Sequence, residues 1–296
     1  MKHIIIFTFL LILPFVIAYS QIEVVTTYPY IADIVQQIGK ENVRVFALAR
    51  GDYNPHVIVP KPSYIAKVRN AKLLVINGAQ LEIGWLPPIL KQANNAAVQP
   101  CEKGFLDLSS YVHLIDVPKS VSRELGDVHP DGNPHFCLDP DNILIIATTL
   151  SMKLSELDPA HAPQFQKNTE EFTQHWKQKT ELWEKQLRPL KGARVIEYHK
   201  IFDYLLLRFG IQLSGTIEPL PGIPPTTQHI AELENRIRSE NIKFILQDVY
   251  NPKDASKYLA QKTNVPLVML PHDVNAVPEA TSIESLFDEI VRRLTK

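Results

Sequence analysis

Between Ala162 and Leu187 the chain carries no glycine, and Pro163 is the one proline. Glutamine, glutamate, lysine and tryptophan fill the stretch, so it reads as one continuous helix of roughly seven turns at 3.6 residues per turn. That helix divides the chain. On either side of it, short β-branched runs alternate with amphipathic helical patterns, an order that specifies a parallel sheet covered by helices. A chain of 296 residues has room for two such lobes, each with its own core. The polar long helix suits a connector between them. The expected fold is therefore α/β, two parallel-sheet lobes joined by a long helix, with a site in the cleft between them. The expected division is residues 1–20, 21–157, 158–190 and 191–296.

The individual elements follow from period and punctuation. Residues 22–26 are β-branched and read as a strand. Ile31, Ile34, Val35 and Ile38 fall at i, i+3, i+4 and i+7, a helix with one apolar face, closed by Gly39. Strands at 43–48 and 73–76 flank a helix over 62–70, and residues 101–139 look irregular. Asp139-Pro140 reads as an N-cap followed by proline at the first helical position. Ile143, Ile146, Ala147, Leu150 and Leu154 continue that helix. In the second half, strands are expected at 194–198, 211–215, 244–247 and 266–270. Helices are expected at 201–209, 227–238, 252–262 and 283–294.

Composition removes several function classes. Lys plus Arg number 31 against 32 Asp plus Glu, so no basic surplus exists to neutralise phosphates and no nucleic-acid partner is expected. Neither GxGxxG nor GxxxxGK[ST] occurs among the 11 glycines. Two cysteines cannot build a disulfide scaffold or a cysteine-rich zinc module. Lys2, an apolar run from Ile4 to Ala18 and the small residues of Ala18-Tyr19-Ser20 form a secretory signal with cleavage expected near Ser20. The run is shorter than a bilayer span requires. No cysteine follows it, so lipid attachment there is not expected. The mature chain is expected in the periplasm.

Ten histidines are present. His161, His175 and His229 fall on polar helical sequence and read as solvated, and His113 has no evident partner. Three others share a placement. His56 lies in the loop after the second strand, within Asn54-Pro55-His56. His135 lies in Asn133-Pro134-His135, just before the capped helix. His199 directly follows the strand at 194–198. Loops at the carboxyl ends of parallel strands converge on a crevice where ligands bind. Neutral imidazole is the commonest metal donor, and three of them suit a borderline ion such as zinc. A histidine after proline sits on a stiff backbone, which lowers the entropy lost when it binds. Taken singly, each could equally be a hydrogen-bonded loop residue, and no compact zinc motif such as HExxH occurs.

At these residues the chain resembles the zinc- and manganese-binding solute-binding proteins of ABC importers, the ZnuA/TroA type. The likeness runs in order through the segment from Val24 to Val35, Asn54-Pro55-His56 with Pro60-Lys61-Pro62-Ser63, the segment from Asn77 to Leu86, Asn133-Pro134-His135-Phe136-Cys137-Leu138-Asp139-Pro140, and Tyr198-His199 through Phe209-Gly210. The resemblance implies one metal buried between two lobes, with His56, His135 and His199 as ligands. It places a carboxylate of the second lobe in the fourth position. Asp273 in Leu270-Pro271-His272-Asp273-Val274 is the choice here, with His272, Asp248 or a water as alternatives. Glu82 and Asp139 are candidates to hold a ligand ring from behind, or else a surface charge and a helix cap. Glu218 stands in a proline-rich loop that is either purely structural or walls the cleft. The His-rich loop of many zinc-specific members corresponds here to residues 110–133, where His113 and His129 alone occur, so a metal-sponge role is not expected. Cys101 and Cys137 either pair or leave a buried thiol.

The function expected from these features is capture of a divalent metal, zinc before manganese, and delivery to the membrane permease of an ABC importer by a monomeric protein that is not an enzyme. Two other readings stand beside it. An exported zinc hydrolase would need an open coordination position beside a general base such as Glu218 or Asp273. A surface adhesin would use the metal only to steady its fold.

Overall fold

The computed structural model describes residues 21–120 and 129–296. The expected signal segment therefore lies outside the described residues. No helix among the described residues is long and apolar enough to cross a membrane.

The first lobe is a four-stranded parallel sheet. Its strands are β1 (Ile22–Thr26), β2 (Val43–Ala47), β3 (Leu73–Ile76) and β4 (Phe105–Asp107), in the order β2-β1-β3-β4. Helices α1 (Pro29–Gly39), α2 (Pro62–Asn70), α3 (Leu86–Ala93) and α4 (Pro140–Leu157) cover it. The second lobe repeats the plan. Strands β5 (Arg194–Glu197), β6 (Gln212–Thr216), β7 (Ile242–Gln247) and β8 (Leu267–Met269) run parallel in the order β6-β5-β7-β8. Helices α6 (Asp203–Phe209), α7 (Thr227–Ser239), α8 (Asp254–Thr263) and α9 (Ile283–Leu294) complete the described chain. Both sheets reverse their winding beside the first strand, and that reversal opens a crevice at the carboxyl ends of the strands. His199 follows β5 at one such point.

Two elements differ from expectation. Helix α3 begins Leu86-Pro87-Pro88 and is only eight residues long, and the two prolines mask its helical period. Strand β4 is three residues within a stretch read as irregular. It pairs with β3 through Leu74–Phe105 and Val75–Leu106, and three residues are too few to show alternation.

The long helix α5 (Ala162–Leu187) spans its expected range and about 39 Å at 1.5 Å per residue. It is not a free strut. Phe165, Trp176, Trp183 and Leu187 are buried on one face. Trp183 stacks on Phe287 of α9 at 5.0 Å, and Trp176 meets the same ring edge-on at 5.4 Å. The Trp176 indole N–H donates to the carbonyl of Pro140 at the start of α4 (2.8 Å), and that of Trp183 to Asp288 (2.8 Å). The helix thus carries the C-terminal α9 on one flank and the first lobe on the other, which fixes the lobes' relative placement. Gly51 of the first lobe lies so close to the second that a Cβ there would fall 1.8 Å from the Val274 carbonyl oxygen. Cys101 is exposed, Cys137 is buried, and both are free thiols. The pairing alternative is not realised.

Candidate metal centre

His56 is placed by the loop after β2. Asn54 Oδ1 accepts from the His56 backbone N–H at 2.9 Å and faces His56 Nδ1 at 3.0 Å. An atom that accepts from a backbone N–H must be the amide oxygen, so the ring proton lies on Nδ1 and the lone pair on Nε2. His199 is placed by the end of β5. Its Nδ1 lies 2.5 Å from Glu218 Oε2, and both side chains are only 11% exposed. A carboxylate there holds the proton on Nδ1 and again leaves Nε2 as the donor to a cation. His135 precedes a short turn of 3-10 helix (Phe136–Leu138). Its backbone N–H donates to Asn133 Oδ1 at 2.9 Å. Its Nε2 is buried and has no hydrogen-bond partner among the described residues. A buried polar atom left unpaired is costly, and a cation would satisfy it.

The ligand loops of the two lobes are stitched together beneath the site. Asn133 Nδ2 donates to the Lys200 carbonyl (2.9 Å) and to Asp203 Oδ2 (3.1 Å), and Tyr204 Oη donates to the Asn133 carbonyl (2.9 Å). The residue two before His135 is thereby bonded to the residue after His199. As a result, His56, His135 and His199 each offer a ring nitrogen, and these atoms lie within 4.8 Å of one another. Ring centroids are separated by 5.4 Å for His56–His135, 5.5 Å for His56–His199 and 5.8 Å for His135–His199. Two nitrogens on one tetrahedral zinc stand about 3.3 Å apart, from bonds of about 2.0–2.1 Å. The rings must therefore draw closer for all three to share one ion.

The electrostatics suit a cation. Burial, then the neighbouring His199 and His129 imidazoles, pushes His56 well below the usual histidine range. Burial, then His56 and His199, does the same to His135. Both rings are neutral near pH 7, the form that binds metal.

None of the residues considered for the fourth position belongs to that group of three, although His272 is near enough to act on His56 and His135. Asp273 is not in the cluster. Its Oδ1 accepts from the backbone N–H groups of Tyr30 (2.9 Å) and Val274 (2.6 Å). Tyr30 is in the first turn of α1, where N–H groups lack partners within the helix, so Asp273 caps that helix from the opposite lobe. Burial raises its pKa to about 8. His272 is buried with its ring 4.9 Å from that of Tyr250. Asp248 accepts from the backbone N–H groups of Tyr250 and Asn251 at 3.0 and 2.7 Å, organising the turn after β7.

Two residues considered as supports for a ligand ring act locally instead. Glu82 accepts from Thr27 Oγ1 (2.7 Å) and from the backbone N–H groups of Asn77 (2.8 Å) and Gly78 (3.1 Å), shaping the loop after β3. Asp139 caps α4 by accepting from the Asp141 N–H. Of the two readings of its loop, Glu218 takes the one that lines the cleft, beside His56 and His199, and its carboxylate meets His199 Nδ1. His161, His175 and His229 bond to Asp158, Glu284 and the Thr216 carbonyl, away from the cluster.

One histidine that sequence reasoning set aside is at the site. His129 Nε2 lies 3.1 Å from His56 Nε2. His129-Pro130-Asp131-Gly132 is a β-turn sequence, with proline at the second position and glycine at the fourth, and Gly132 N–H donates to the His129 carbonyl at 3.1 Å. That turn signal, six residues before His135, was legible.

Two parallel-sheet lobes that close imidazoles around a shared point define a class, the two-lobed proteins that enclose a small metal ion in the cleft between domains. The chain belongs to the family described as zinc-uptake complex component A, periplasmic, whose profile matches residues 24–296. It is accordingly a metal-binding component of ABC-type metal uptake. It is 22% identical over 257 residues to the manganese ABC transporter substrate-binding lipoprotein PsaA of Streptococcus mitis, covering 84% of this chain and 79% of that protein. Over 105 residues it is 32% identical to the high-affinity zinc uptake system protein ZnuA of Brucella abortus (strain 2308), 36% of this chain and 31% of that one. A crystal structure of ZnuA superposes with a TM-score of 0.78 at 19% identity, covering 93% of this chain and 98% of the other, a likeness of fold.

Proposed function

We propose that the cleft captures one divalent metal ion, zinc in preference to manganese, on His56 Nε2, His135 Nε2 and His199 Nε2, and delivers it outside the cytoplasm to the permease of an ABC importer. The observation that carries this reading is the buried, unpartnered Nε2 of His135, which faces two further imidazoles whose protons are held on Nδ1. Zinc is favoured because the donors are nitrogens, whereas manganese suits carboxylate, carbonyl and water oxygens. Relatives named for either metal exist, so the preference rests on the donor set. Carriage rather than catalysis is supported by the carboxylates. Glu218, the base a hydrolase would need, is engaged by His199, and Asp273 is engaged by backbone N–H groups. Titration of the metal-free protein with zinc tests the reading. One zinc per chain is expected, with binding lost in His135→Ala. Unchanged zinc affinity in that variant would remove the ligand assignment.

A further inference from the structure

We infer that His129 supplies the fourth ligand to the captured ion, so that the closed site is built from four imidazoles. The inference rests on the capture reading above. Three histidines leave a tetrahedral zinc one donor short; Asp273 and Asp248 are held by backbone N–H groups, and the ring of His272 packs on Tyr250 rather than on a ligand histidine. His129 presents its Nε2 directly to the metal-binding nitrogen of His56, at 3.1 Å. That spacing is close to the roughly 3.3 Å expected for two nitrogens on one zinc.

The proton bookkeeping is definite. His56 Nδ1 keeps its proton toward Asn54, so the proton between the two Nε2 atoms belongs to His129. An ion arriving at His56 Nε2 repels that proton. To bind, the ring takes the neutral tautomer whose Nε2 carries a lone pair, the form that ligates a metal. The ring is not on a loose tether. Gly132 has φ +118°, and a Cβ there would meet the Ile115 carbonyl oxygen at 2.7 Å. Asn133, next in the chain, donates its backbone N–H to that same carbonyl at 2.8 Å. The turn that carries His129 is therefore continuous with the one that places His135. A cavity of about 180 Å³ lined by His129, His135, His199 and Pro221 provides room for the ring to adjust. An all-nitrogen sphere would also strengthen the preference for zinc over manganese.

The alternative is that His129 merely plugs the lone pair of His56, and the two roles predict opposite signs. Zinc affinities of the wild-type, His129→Ala and His135→Ala chains are measured by chelator competition at pH 8, and the zinc-loaded wild type and His129→Ala proteins are examined by X-ray absorption. Four imidazoles around zinc in the wild type, three in His129→Ala, and an affinity loss of at least about tenfold in that variant are expected, since even an outer partner of a ligand costs that much. Three imidazoles in the wild type, or an affinity unchanged or raised in His129→Ala, would overturn the inference. If His135→Ala loses zinc while His129→Ala does not, the fourth ligand alone falls. If His135→Ala binds like the wild type, the capture reading falls with it.

Discussion

Replacing Glu218 probes the site without touching a ligand. Its Oε2 lies 2.5 Å from His199 Nδ1 with both side chains 11% exposed, so solvent screens the pair little. Hydrogen bonds to charged groups contribute about 1.5–3 kcal/mol and neutral ones about 0.5–1.5. Glu218→Gln keeps an amide oxygen for the Nδ1 proton and removes the charge, which leaves a deficit of about 1–1.5 kcal/mol. That converts to a roughly tenfold loss of zinc affinity. Glu218→Ala removes the acceptor altogether and frees the ring to rotate, for which a loss of up to about 100-fold is expected. Competition with a chromophoric chelator at pH 8, where imidazole protons do not compete, measures both. The graded order wild type, Gln, Ala is the expected result. Equal affinities in all three would refute the reasoning that the carboxylate orients and polarises His199.

Other tests address separate links. His56 and His135 are pushed down by burial, so they carry no proton at pH 7 for zinc to displace. Zinc binding should therefore displace no proton from His56 or His135 at pH 7. Calorimetry in buffers of different ionisation enthalpy checks this, and release of two or more protons per zinc at pH 7 would contradict it. Asp273→Asn should leave zinc affinity unchanged, because Asp273 serves the N-terminus of α1. Its raised pKa means stability is lost as pH climbs from the ordinary carboxylate range to about 8, so the variant should melt with a weaker dependence on pH across that window. Gly132→Ala should lower stability in urea by about 1–3 kcal/mol and weaken zinc binding with it, since one turn places both His129 and His135.

Much of this was legible because local signals agreed with the fold. The apolar spacing of Ile31, Ile34, Val35 and Ile38 marks α1, and Asp139-Pro140 caps α4 as written. The placement of His56 and His199 after strands pointed to one cleft, and the family resemblance singled them out as ligands. Other features were out of reach for definite reasons. The amphipathic face of α5 is built from tryptophans and threonines among charged residues, and its partner Phe287 lies over a hundred residues away. Asp273 follows the last strand, where a ligand is expected, yet a carboxylate beside an uncapped helix start finds backbone donors first. No local pattern distinguishes those fates. His129 was passed over because it was judged by the low histidine content of its loop. The turn that Pro130 and Gly132 impose was the better guide.

The central claim is that imidazoles from both lobes surround a single cation. Anomalous diffraction at the zinc edge from crystals of the zinc-loaded protein tests it most directly. The account predicts one peak, about 2.0–2.1 Å from the Nε2 atoms of His56, His135 and His199. A peak coordinated by other residues, or three rings turned away from a vacant cleft while zinc binds on the surface, would contradict it.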